Sequence, residues 1–327
     1  MSRRRDLTLA AAGLLILVFV GWRIGTQTLI RELAAMRAGI LIIFGLSLIR
    51  LLLQTRSWSL ALAQDGFQIS TRRLMLVRLA SQGMGYLTVL GLVASEPMKI
   101  RLLRSRDKSP TAATLVDTGV YWFASGLVAI AGCLSACALL SHRAKSVLPM
   151  TLAAAALTAG LIAIARPRLL LVPLANRLGA RCPKWLRSAG QIEIAVREFA
   201  ARDRAAIRQM LLLDLSCQVL LAAEVATVFW FLRLPLHAGM IVGLEAATRI
   251  VKMVAGWMPA RIGADESGAA GAFLSFGLPA AAGVTLALAR RTRDLLASII
   301  GLTWLAYISR HKEERKQVLD AGSDFCS

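Results

Sequence analysis

The chain has 327 residues, 57% of them hydrophobic, with a mean hydropathy of +0.61. Soluble domains are nearer to about 45–50% apolar, and more than half of a globular surface is already apolar, so a water-soluble fold could not hide this excess. The formal net charge is +20, from 39 Lys and Arg against 19 Asp and Glu; the basic residues cluster between apolar blocks with no nucleic-acid motif beside them, which favours membrane topology over nucleic-acid binding.

In chain order, MSRRRD precedes an apolar run over 7–22. This resembles the first two regions of a signal peptide, but no small-residue cleavage pattern follows, so it reads as an uncleaved first helix. Further spans are predicted at 38–54, 113–140, 147–165, 209–232, 238–257 and 294–310. Each is an apolar block of roughly the length that crosses a bilayer. Two other apolar stretches, 74–95 and 262–289, carry Gly83, Gly85 and Gly91 in one case and Gly263, Gly268, Gly271 and Gly277 in the other. Each adjoins a proline and a glutamate, the pattern of broken or re-entrant helices. The expected fold is an all-α, polytopic transmembrane bundle with about 7–8 spans and two interrupted segments, forming a single domain over 1–310 with a short polar tail at 311–327.

Charge bias orients the bundle. Segment 166–208 holds ten Lys and Arg against three acids and is expected on the cytoplasmic side, as are the Arg3–Arg5 end and the 96–108 segment. These agree if 74–95 enters and leaves on one side. The basic tail joins them if 262–289 crosses fully, giving eight spans; otherwise there are seven and the tail faces out. Within 166–208, Ile192, Ile194, Val196 and Phe199 fall among charges at helical spacing. They read as an amphipathic helix on the inner membrane surface or as a cytoplasmic helical hairpin. The bundle is expected in the inner membrane of a bacterium, N-terminus cytoplasmic.

Charges at membrane depth are costly and are paired, hydrated or interfacial. In LGLVASEPMKIRLLRSRDK, Glu96 ends the glycine-bearing stretch, and Pro97 reads as the first residue of a new helix. Lys99 and Arg101 follow and could meet a phosphate headgroup, or serve only as topogenic charge. Asp117, Tyr121 and Ser125 share one helix face, a polar stripe that suits a pathway or an interfacial belt. In EAATRIVKMVAGWMPARIGADESG, Glu245 and Arg249 have the spacing of an ion pair and Lys252 continues that face. Pro259 and Gly263 mark a break, and Arg261, Asp265 and Glu266 gather around it as a relay, a headgroup contact or a structural ion-pair knot. Asp214 and Glu224 are single acids in one span, expected to pair with Lys252 or Arg249 or to hydrogen-bond between helices. Arg290 to Asp294 reads as a turn anchoring two helix ends.

The five cysteines and three histidines form no CxxC and no ligand spacing, so neither a disulfide framework nor a metal site is expected. Cys133 and Cys137 read as small buried thiols. No cofactor motif and no catalytic constellation is present, and the chain is not expected to be an enzyme.

Taken in order, GLVASEPMKIRLL, then LVDTG, then MPARIGADESGAAGAFLSFGLPAA followed by LARR, resemble the membrane domain of the lysylphosphatidylglycerol synthase family, also called flippase-like. Glu96, Lys99, Asp117, Pro259, Gly263, Glu266, Gly277 and Arg290 carry the likeness, which spans roughly 7–310. Ser95 stands where a glycine is usual, and Thr118 where an arginine often follows the acid. The resemblance implies movement of lipids or lipid-linked groups between leaflets. Glu96, Asp117, Arg261, Asp265 and Glu266 would line a polar groove, with Lys99 and Arg101 receiving the headgroup. The implied partners are membrane lipids with anionic or lipid-linked headgroups. The other reading is a non-transporting scaffold for membrane-bound enzymes of lipid or glycan synthesis, docked through the basic 166–208 segment.

Overall fold

A computed structural model describes residues 36–87, 91–104, 109–139, 202–256, 258 and 261–323, together with Arg31, Ala34, Arg177, Ile194 and Glu198. The expected spans at 7–22 and 147–165 and the amphipathic segment before Arg202 lie outside these residues, as does Pro259. The described residues fold into eight helices and no strands.

The first four helices are α1 (Arg37–Gln64), α2 (Thr71–Leu87), α3 (Gly91–Leu103) and α4 (Thr111–Leu139). The second four are α5 (Arg204–Phe231), α6 (Ala238–Val254), α7 (Ala264–Ser275) and α8 (Ala280–Ser323). Asp203 starts α5 as its N-cap, accepting from Ala205 N at 2.9 Å and Ala206 N at 3.0 Å, which satisfies two donors that a helix start leaves open. By length and composition, three helices qualify as spans: Ala38–Gln64, Thr111–Leu139 and Arg204–Phe231.

Two apolar clusters fix which helix ends lie together. Met36, Ile43, Ala136, Phe229, Leu244, Phe273, Phe276 and Leu278 pack at one end. Trp58, Leu62, Leu74, Leu103, Ala113, Met210 and Trp304 pack at the other. Helix α2 therefore starts, and α3 finishes, at the Trp58 end, forming a re-entrant hairpin. Helix α6 starts, and α7 finishes, at the Phe229 end, forming a second hairpin that enters from the opposite side. At 1.5 Å per residue, the 13 residues of α3 and the 12 of α7 reach only about 20 Å. That is short of the roughly 30 Å hydrocarbon core.

The run at 238–257 is thus not a separate crossing but the inward arm of the second hairpin. Helix α7 is its return arm, and α8 is the crossing: Ala282 and Leu286 belong to the Phe229 end and Trp304 to the Trp58 end. The C-terminal part of α8 therefore lies at the same end as Arg101 and Arg204 without any crossing by α7. Arg290 to Asp294 is not a turn either, because it lies inside the continuous α8. Pro97 is likewise internal to α3, which starts upstream at Gly91, after α2 has ended at Leu87.

The two halves repeat each other in opposite sense. Helix lengths run 28, 17, 13 and 29 residues in the first half and 28, 17, 12 and 44 in the second. Helix α1 packs on α5, α4 on α6, and α8 on α2. The last two contacts use glycines at the same helical position: Gly132 and Gly301 are each the twenty-second residue of their helix. A Cβ on Gly132 would lie 2.5 Å from Val242 O, and one on Gly301 would lie 2.3 Å from Leu79 C. Both clashes are with backbone, which cannot rotate away. Gly132→Val is expected to cost about 1–3 kcal/mol or more by overpacking, read as a lower melting temperature in detergent; an unchanged melting point would show that α4 and α6 do not meet this closely.

Burial inverts the soluble pattern. Leu41, Leu134, Leu212, Val219, Trp230 and Ile299 are more than half exposed, while Arg78, Lys99, Asp117, Glu224, Glu245, Glu266, Arg290 and Arg293 are buried. Apolar outside and charged inside suits a hydrocarbon surround, where every ionised group must find its partner within the protein.

Candidate functional site

Two ion-pair networks hold the hairpins against the long helices. In the first half, Arg78 on α2 pairs with Asp117 on α4 at 3.3 Å and donates from Nη1 to Gln54 O of α1 at 2.5 Å. Arg78 and Lys99 both lie over the Trp58 indole, 5.9 and 5.7 Å from its centroid, a cation–π arrangement. Lys99 pairs with Glu96 at 2.8 Å, and Thr118 Oγ1 donates to Glu96 at 3.0 Å. Asp214 accepts from Ser57 Oγ at 3.3 Å.

In the second half, Arg290 on α8 pairs with Glu224 on α5 and Glu245 on α6, both at 2.8 Å, and donates to Leu221 O at 3.1 Å. Leu221 and Gln54 are each the eighteenth residue of their helix, so an arginine satisfies the same carbonyl position in both halves. Glu224 also receives Arg293. Arg249 pairs with Glu245 at 3.0 Å, donates to Gln218 Oε1 at 2.7 Å and meets Ser125 Oγ. Asp214 and Glu224 thus do bridge helices, but through Ser57, Arg290 and Arg293 rather than Lys252 or Arg249.

The tip of the second hairpin is built from strained backbone. Arg261 has φ 47° and Gly263 has φ 79°, the left-handed region that glycine tolerates and arginine rarely adopts. Glu266 closes the break by accepting from Gly263 N at 2.9 Å and pairing with Arg291 at 2.9 Å. Arg261 pairs with Asp265 at 3.2 Å, its carbonyl accepts from Arg291 at 3.1 Å, and its guanidinium lies 5.8 Å from the Tyr86 ring centroid. Tyr86 is the penultimate residue of α2, so the two hairpins touch where each reaches deepest.

Beside that contact is a cavity of about 350 Å³, whose wall includes Arg50 and Gln54 of α1, Gln82 and Tyr86 of α2, Ser95 of α3, Tyr121 of α4, Lys252 of α6, Arg261, and Arg293 and Asp294 of α8. Four cations and one acid face it. A second, water-sized cavity of about 20 Å³ lies behind Lys252, against Asp265, Arg290 and Asp294.

Of the residues expected to line a pathway, Arg261 and Tyr121 reach the larger cavity, and Asp265 lines the smaller. Glu96, Lys99, Asp117 and Glu266 are held in ion pairs behind its wall, and Arg101 is exposed near the end of α3. The polar stripe on α4 does face inward, with Asp117 meeting Arg78, Tyr121 the cavity and Ser125 Arg249. The sequence reading includes Arg293 only within the Arg290 to Asp294 turn and passes over Arg50 and Arg78, for which the available signal is a lone arginine ending or interrupting an apolar run. No group of three or more metal-ligating side chains occurs among the described residues.

The family model described as lysylphosphatidylglycerol synthase TM region matches residues 7–301. Comparison with curated proteins and with solved structures returns no match. The family match covers both hairpins, all four end-to-end helices up to Gly301 and the cavity between them, and on that coverage the chain belongs to the lysylphosphatidylglycerol synthase TM region family.

Proposed function

We propose that this protein moves a lipid or lipid-linked group between leaflets, catalysing no covalent step. The headgroup occupies the charged cavity while the acyl chains stay in surrounding lipid. The observation that carries this reading is the position of the cavity, where two hairpins entering from opposite ends meet. A polar chamber at that depth gives a headgroup the solvation that hydrocarbon denies it. The outer faces of α1 and α5, rich in exposed leucine and valine, suit contact with acyl chains.

Orientation belongs to the same proposal. Arg72, Arg73, Arg101, Arg104, Arg204 and Arg208 are exposed at the Trp58 end, and the positive-inside rule assigns that end to the cytoplasm of a bacterial cell. Purified protein in liposomes carrying fluorescent phospholipids or isoprenoid phosphates is expected to speed the loss of protection from a membrane-impermeant quencher. Rates equal to those of empty liposomes for every lipid class would sink the transport reading.

A further inference from the structure

The charge facing the large cavity exceeds what its ion pairs consume. Arg261 is paired with Asp265 at 3.2 Å, and Arg293 with Glu224 and, at 2.9 Å, with Asp294. Asp294, the one acid on the wall, is therefore taken. The other two cations are in no ion pair with a described acid: Asp294 attracts both from further away, and Asp265 and Glu245 attract Lys252, but each of these acids is already paired with an arginine. Among the described residues Arg50 donates to Ser47 Oγ, at 3.4 Å, and Lys252 makes no ion pair. They come from different elements, α1 and α6, and face the same space.

A cation inside a bundle with no close ion pair of its own is unfavourable. Lys252 also stands at the junction of the two cavities. In the smaller one, Arg290 is 4% exposed and its Nη1 has no hydrogen-bond partner. The arrangement lacks an anion, and the cavity falls at the low end of the roughly 300–1,000 Å³ that ligand pockets occupy: room for a headgroup, not for acyl chains.

We infer that the cavity takes a phosphoryl group of net negative charge, held between Lys252 and Arg50, and that it disfavours a headgroup made cationic by an added amine. A tetrahedral phosphoryl group presents oxygens in several directions at once, so cations on different walls can share it. A planar carboxylate offers its acceptors in one plane and suits a single guanidinium fork. The tyrosine hydroxyl of Tyr121, on a third wall, adds a donor for a remaining oxygen. This inference rests on the transport reading for its route, but its binding chemistry can be measured without transport.

The test uses the full chain in detergent, with inorganic phosphate, short-chain phosphatidylglycerol, short-chain phosphatidylcholine and short-chain lysyl-phosphatidylglycerol as probes in calorimetry and thermal melting. Phosphatidylglycerol is expected to bind and stabilise, with phosphatidylcholine and the lysyl lipid about tenfold weaker or worse. If inorganic phosphate binds too, the phosphoryl group alone is sufficient; if only the anionic lipid binds, the ligand is a lipid headgroup. Both results support the site.

Lys252→Gln and Arg50→Gln should each weaken anionic lipid binding about tenfold or more, the scale of one charge-assisted hydrogen bond. Lys252→Gln should also leave the unliganded protein about as stable as before, because Lys252 is in no ion pair with a described residue and Glu245, Asp265 and Asp294 keep their arginines; a folded variant with weakened binding separates ligand contact from structure. The exposed Arg72→Gln controls for surface charge. Equal binding of the three lipids, or of the parent and its variants, or an equal loss with Arg72→Gln, overturns the inference. In vesicles, leaflet exchange as fast for phosphatidylcholine as for phosphatidylglycerol would leave transport standing and this inference fallen. Anionic binding with no exchange would do the reverse.

Discussion

Replacing Arg290 with methionine is expected to lower unfolding stability by about 3–5 kcal/mol, the cost of breaking a buried pair by removing one partner. Arg290 is the cation shared by Glu224 and Glu245 and also satisfies Leu221 O. It thereby ties α8 to α5 and α6 at one point. Methionine keeps much of the side-chain length but none of the charge. Glu224 would retain Arg293 and Glu245 would retain Arg249, leaving two buried carboxylates each with half of its former compensation. A melting temperature lower by several degrees follows, since 1 kcal/mol shifts it by about 2–4 °C at 150–250 residues and by less in a longer chain. Adding Glu245→Gln should recover part of the loss, because it removes the negative charge that Arg290 had balanced. An Arg290→Met protein that melts with the parent, or a double variant worse than the sum of the two single ones, would contradict the network.

Joining the hairpin tips is expected to stop transport altogether. Tyr86 and Arg261 meet at 5.8 Å between ring centroid and guanidinium, and they belong to arms that enter from opposite ends. Because the halves repeat each other with inverted sense, a state open to one side implies a counterpart open to the other, in which the two hairpins exchange roles. A headgroup in the cavity can pass only if the tips separate. In a background with the five native cysteines replaced, Tyr86→Cys with Arg261→Cys would be bridged by a cleavable bis-maleimide. Lipid exchange should fall to the empty-vesicle rate and return when the bridge is cut. Each single cysteine capped with a mono-maleimide controls for added bulk. Undiminished exchange in the bridged protein would mean that lipid travels elsewhere, for instance along the outer groove beside Trp230, Phe231 and Leu236.

Much of this molecule follows from local chemistry. The all-α class, the membrane setting and the two interrupted segments are written in apolar block length and in glycine placed beside charge. The Glu245–Arg249 pair follows from helical spacing, and the break at Gly263 from its conformational freedom. The second hairpin was misjudged because hydropathy measures depth, not direction. A segment that returns and a segment that continues have the same composition, so 238–257 reads as a span although α7 folds back along α6. Arg290 to Asp294 reads as a turn for a related reason. Four charged residues within five, in an apolar context, signal an interface, unless partners on other helices allow the helix to continue through them.

Composition alone requires this chain to fold with its apolar surface outward, since no soluble core could take up so much of it, and requires its buried charges to find partners inside. Which partners they find was decided only by tertiary structure. Arg78 reaches Asp117, Arg290 reaches Glu224 and Glu245, and Arg261 reaches Tyr86 because helices distant in sequence pack side by side. That packing also left Lys252 and Arg50 without an ion pair of their own among the described residues, facing one cavity. No spacing rule could show this, because an unpaired charge is defined by what every other element fails to bring to it.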